Sequence, residues 1–170
     1  QSSSANRTEV QIAKFSDKDD PVELAFLKSR GDQFNPSVVE DGDKLGYIRF
    51  FGNNGSSDSG AEFARITAVV SGTVNATRSP GALRFGTVAL ASGILVDRVQ
   101  VTPSGNFVPV TDNTYDLGEP NLRWANLYTA DLHLRNERGD WTIVEEEEYL
   151  SIKNNKNGKR YKFVLEELED

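Results

Sequence analysis

Punctuation constrains this chain more than any other feature. Its alternating apolar stretches run for no more than about ten residues before Gly, Asn, Asp or Pro interrupts them. That spacing leaves no room for a long helical period or for the strand–helix alternation of α/β folds. It predicts an all-β architecture of about eight to ten short strands. Leu45 to Phe51 sets Leu45, Tyr47, Arg49 and Phe51 on one face against Gly46, Ile48 and Phe50. After the turn-rich stretch Asn53 to Gly60, Glu62 to Val70 resumes the alternation, with Phe63, Arg65, Thr67 and Val69 opposing Ala64, Ile66, Ala68 and Val70. The two stretches predict a long-looped hairpin. Pro80-Gly81 marks a turn into a strand over Ala82 to Val88, and Ile94 to Val101 forms the next. Upstream, Glu9 to Phe15 alternates as a strand would. Val22 to Leu27 fits a strand or one short helical turn, its brevity favouring the strand.

The C-terminal part carries the clearest local signal. Asn157-Gly158 is a strong hairpin dipeptide, since both residues tolerate positive φ. It lies between strands predicted over Tyr149 to Ile152 and Arg160 to Leu165, with Tyr161, Phe163 and Leu165 facing one way. A lone hairpin is marginally stable, and Trp141 to Val144 supplies a third strand. Tyr149, Tyr161 and Phe163 are the packing residues expected of this unit. Thr102 to Pro120 holds three prolines and few apolar groups, whereas Leu122 to Leu134 is the densest apolar stretch. Helix and strand both fit its beginning. Its end alternates cleanly through Ala130, Leu132 and Leu134.

Composition narrows the function. A net charge of -7 argues against non-specific binding to nucleic acid or to anionic membrane. With no cysteine there is no disulfide, no thiolate metal ligand and no cysteine nucleophile, which suits assembly in a reducing compartment. No apolar run approaches the roughly 20 residues that span a bilayer, so the chain reads as not membrane-embedded. Gln1 to Arg7 is polar without a signal-peptide pattern, and methionine is absent, so the chain reads as a fragment of something longer. Apolar residues make up only 37%. An apolar-poor chain with many strand edges is helped by closing strands across subunits.

Candidate chemistry is sparse. His133 stands alone between Leu132 and Leu134, a pattern that reads as a strand histidine opposite two leucines rather than a metal ligand. The acidic clusters at Asp17, Asp19 and Asp20, at Asp41 and Asp43, and at Glu145 to Glu148 lack EF-hand spacing and read as solvated loops and faces. Lys153, Lys156, Lys159, Arg160 and Lys162 are placed to pair with the last of these across strands. The 26 acids make chance carboxylate pairs certain, yet no motif selects one for glycoside hydrolysis. The reading is non-enzymatic, with no catalytic residue, no metal and no cofactor. Trp141 is the candidate for stacking on a sugar ring.

One stretch carries a resemblance. YDLGEPNLRWANLYTADLHL, from Tyr115, is similar to a recurring module of bacteriophage tail fibres and tail spikes: a "DLG", a polar spacer, an "RW" and an "NLY". GDKLGYIRFFGNNGSSDSGAEFARITAVVSG and SPGALRFGT resemble shaft domains of the same fibres, so the likeness covers roughly residues 42 to 135. The segment from Gly139 to Glu167 resembles the terminal hairpin unit of marine phage fibres. The resemblance implies an elongated fibrous homotrimer of short-strand modules packed between chains. Its role would be host-cell attachment or structural support in the virion, after assembly in the host cytoplasm. Implied partners are other tail or fibre proteins and a bacterial surface glycan or outer-membrane receptor. The rival reading is a dedicated receptor-binding tip that recognises a glycan.

The expected organisation is a linker or fragment edge over 1–8, a shaft or sandwich-like module over 9–101, an intertwined trimerisation module over 102–136 and a three-stranded hairpin unit over 137–170. Within the trimer, Leu122, Trp124, Leu127, Tyr128, Leu132 and Leu134 are the expected apolar seam. In many such fibres a self-cleaving chaperone domain follows the "NLY" module, opening with an "SD-RLK"-like segment. Nothing similar follows Leu134, so neither autoproteolysis nor a catalytic pair of Ser151 and Lys153 is expected.

Overall fold

The computed structural model describes residues 10–19, 21–55 and 60–164. The expected linker over 1–8, and Glu9 and Leu165 of the expected strands, lie outside the described residues. The chain is all-β and divides into two compact units, Gln1–Tyr115 and Asp116–Asp170.

In the first unit, a two-residue ladder joins β1 (Arg30–Gly31) to β2 (Pro36–Ser37). Asp32 makes the turn between them by accepting the N–H groups of Phe34 and Asn35, both at 2.8 Å. Gly31 sits at φ +77°, and a Cβ there would lie 2.2 Å from the Asn35 carbonyl oxygen. Only glycine fits. A five-stranded antiparallel meander follows: β3 (Lys44–Gly52), β4 (Ala61–Val70), β5 (Gly81–Val88), β6 (Leu95–Val101) and β7 (Phe107–Pro109), paired in chain order. Its register puts the row Ile48, Ile66, Phe85, Val99 on one face and Tyr47, Thr67, Arg84, Gln100 on the other. Among the described residues, the buried apolar positions are Val69, Val70 and Ala82, which cluster where β4 meets β5.

The entry to this sheet is held by charge. Arg30 forks onto Asp43, Nε to Oδ2 at 2.7 Å and Nη2 to Oδ1 at 2.8 Å, while its Nη1 reaches Glu40 at 2.6 Å. The guanidinium hydrogen bonds, then the Glu40 N–H, hold the Asp43 carboxyl far below the usual carboxylate range. The Asp43 backbone in turn bonds Val70, which ties the turn to the end of β4.

The second unit is a four-stranded antiparallel sheet in the order β11, β10, β9, β8, built from β8 (Asp131–Arg135), β9 (Asp140–Glu145), β10 (Leu150–Asn154) and β11 (Arg160–Lys162). The expected C-terminal unit of three strands gains a fourth, because β8 zips onto β9 from Asp131 to Arg135. The hairpin at Asn157-Gly158 forms, but as a longer loop. Only Gly158 takes positive φ, and its N–H bonds the Asn154 carbonyl. The Asn154 and Asn157 side chains accept the N–H groups of Lys156 and Lys159, both at 2.9 Å, and carry the bend.

Two expected strands are absent. Residues 10–15 and 22–27 make no ladder, and Val10 and Phe15 are almost fully exposed. A strand needs a neighbour to complete its ladder, so alternation alone does not make one there. The sheets also group the chain differently from the composition-based segments. Phe107–Pro109 completes the first sheet, and β8, from the expected 102–136 module, joins the sheet of 137–170. Among the described residues, no helix is long and apolar enough to cross a membrane.

Candidate functional site

The second sheet separates its chemistry by face. One register row, Leu132, Ile143, Ile152 and Tyr161, crosses all four strands; Leu134 opposes Trp141 in the next row, and Leu150 lies on the same side by alternation. Trp141 lies 6.1 Å from Tyr161, centroid to centroid, tilted by 43°. Phe163 continues this edge, its N–H bonded to the Leu150 carbonyl. The face is apolar except for Asn154, which pairs with Trp141, and Glu145 at a corner. Yet Leu132, Leu134, Leu150, Tyr161 and Phe163 keep 37 to 49% of their surface exposed.

The opposite face is polar and bonded to itself. Thr142 is buried; its hydroxyl lies 3.2 Å from His133 Nδ1 and accepts Asn155 Nδ2 at 2.9 Å. The same Asn155 amide donates to Asp140 at 2.7 Å. Buried Ser151 donates to Glu146 Oε1 at 2.8 Å, and Arg160 pairs with the same carboxylate. His133 thus lies opposite the two leucines, bonded to a threonine. Of the basic residues expected near the acidic run, Arg160 pairs with Glu146, while Lys162 lies over the Tyr149 ring at 4.2 Å.

Ahead of β8, residues 116–128 form no strand beyond the isolated bridge between Glu119 and Leu122. Asp116, Gly118, Glu119, Arg123, Trp124 and Leu127 line an open hollow. Gly118 has φ +93°, with Trp124 beside it. Leu122, Trp124, Leu127 and Tyr128 stand 65 to 92% exposed.

The six residues expected in the seam therefore occupy two places. Leu132 and Leu134 are on the sheet face, and the other four are on the preceding segment. Of the expected hairpin residues, Tyr161 and Phe163 share the apolar face, while alternation puts Tyr149 on the other side under Lys162. Trp141 is half-buried on the apolar face rather than displayed alone. Sequence reasoning missed Ile143 and Ile152 as members of this face, although the period of two in Trp141-Thr142-Ile143 and Leu150-Ser151-Ile152 carries the signal.

The site is thus a pair of uncovered apolar surfaces beside a closed polar network. Among the described residues, no three His, Cys, Asp or Glu come together to hold a metal. Ser151 is engaged by Glu146 and Arg160.

No protein-family model matches the chain, and no curated protein does either. Solved structures do. The carboxy-terminal domain of the bacteriophage T5 L-shaped tail fibre superposes with a TM-score of 0.62 at 20% identity, covering 78% of this chain and 49% of that one. The same domain solved with its intra-molecular chaperone domain gives 0.61 at 20% identity, covering 78% of this chain and 34% of that one. The chain spans about half the length of the first of these structures. The class is an all-β fold of the kind found in a phage tail fibre domain.

Proposed function

We propose that this chain is a structural and adhesive segment of a phage tail fibre, acting as an elongated homotrimer that supports host-cell attachment. The observation that carries the reading is the fold shared with a tail fibre domain over 78% of the chain. Uncovered apolar surface in the second unit supports the assembly, since monomeric proteins rarely expose patches beyond a few hundred Å². In this reading the chain belongs to the virion and meets other fibre proteins. Residues 102–136, with the seam from Leu122 to Leu134, contribute to trimerisation. Light scattering of the purified 18.8 kDa chain is expected to give three times that mass. A monomer mass at micromolar concentration overturns the reading.

One observation favours a second reading, a receptor-binding tip that grips a surface glycan. Trp124 and Tyr128 are exposed aromatics, and Asp116, Glu119 and Arg123 stand around the hollow as polar partners for sugar hydroxyls. A glycan array probed with the intact chain and with Trp124→Ala tests it: saccharide binding lost in the variant supports the tip, and an array without signal removes it.

A further inference from the structure

We propose that the apolar face of the second sheet receives residues 117–128 of a neighbouring copy, so that the copies join head to tail rather than face to face. The inference rests on the trimeric reading above and names the surfaces that carry it.

Two apolar surfaces of the same unit stand uncovered, one on the sheet and one on the segment before it. At 37 to 49% exposure for the five large side chains of the face, and 65 to 92% for the four of the segment, each presents roughly 500 Å² of apolar surface. A face-to-face contact covers the sheets and leaves every segment bare. A segment laid on the next copy's face covers both surfaces of every chain. Each junction then buries about 1,000 Å², the lower bound for a specific interface. Such a contact is heterologous, and heterologous contacts form a closed ring when the rotation between copies closes; the trimeric reading requires closure at three.

Charge selects a second copy as the occupant. Copies carrying -7 each repel, so they approach through uncharged surface. The apolar face carries one charged residue, Glu145 at its corner, and Asn154 beside Trp141, whereas the opposite face carries Asp131, His133, Arg135, Asp140, Lys153, Arg160 and Lys162. The segment contributes leucines and aromatics of matching character, and its two charged residues, Glu119 and Arg123, are of opposite sign.

The test uses Tyr128→Asp on the segment and Leu134→Glu on the face, both exposed within one chain. Sedimentation of the full 170-residue chain is expected to give trimer for the parent and monomer for each variant, with unchanged far-UV spectra. Mixing the two variants restores one intact junction, the Leu134→Glu segment on the Tyr128→Asp face, and is expected to give a two-chain species. Recovery on mixing also shows that both variants are folded. A Tyr128→Asp chain that remains trimeric while Leu134→Glu dissociates favours face-to-face contact and overturns the inference, as does a mixture that stays monomeric. Trimers from both variants place the interface elsewhere and leave the trimeric reading standing. A monomeric parent removes both.

Discussion

At the scale of single residues, the interactions that matter most are those whose partners are held in place. Arg30 and Asp43 form a two-point fork at the entry to the first sheet, and the hydrogen bonds depress the Asp43 pKa. A carboxyl depressed in the folded state stabilises fully above its unfolded value of about 4. That contribution fades as the pH falls towards the folded value. The melting temperature of the parent is therefore expected to drop more steeply below about pH 4 than that of Asp43→Asn. Parallel acid limbs in the two proteins would show that the fork adds no pH-linked stability. Glu146 provides a second case. Read from sequence it is one of four solvated glutamates, but in the structure its carboxylate satisfies the buried Ser151 hydroxyl and pairs with Arg160. Glu146→Ala is expected to cost about 1 kcal/mol, because a buried hydroxyl loses its acceptor. Lys153→Ala, on an exposed position, is expected to stay within about 0.5 kcal/mol. Urea melts of the two variants separate a satisfied network from surface charge.

At the scale of elements, turn chemistry and strand pairing decide what forms. The β1–β2 ladder depends on Gly31, whose left-handed backbone and close approach to the Asn35 carbonyl exclude any side chain. Gly31→Ala is expected to open this ladder and expose residues 28–40 to protease, with little change in the sheet of β3 to β7. Limited proteolysis followed by mass spectrometry reads this directly, and an unchanged cleavage pattern would count against the strain argument. The contrast between residues 10–15 and 131–135 makes the same point about pairing. Both alternate in sequence. The second finds β9 as a partner and becomes β8, while the first makes no ladder and remains irregular.

At the scale of the whole molecule, apolar surface is in the wrong place for an isolated chain. Among the described residues the buried apolar positions are few and small, while leucines and aromatics of the second unit stay open to solvent. Stability that depends on covering them must depend on chain concentration, because association of folded chains shifts the folding equilibrium by mass action. The melting temperature is expected to rise as concentration is raised tenfold, and to do so less for Leu134→Glu. Concentration-independent melting would mean that each chain carries its stability alone.

The sequence by itself determined the class of fold and the strands from Lys44 to Val101, because period-two alternation and Gly, Asn and Pro turns are properties of neighbouring residues. It also determined that His133 lies opposite Leu132 and Leu134, since adjacent strand residues must point to opposite sides. Only the tertiary structure decided which alternating stretches find a partner, how β8 extends the C-terminal sheet, and that the expected seam divides between a sheet face and the segment before it. Those outcomes rest on hydrogen bonds and contacts between residues distant in sequence, and no local pattern encodes which strand meets which.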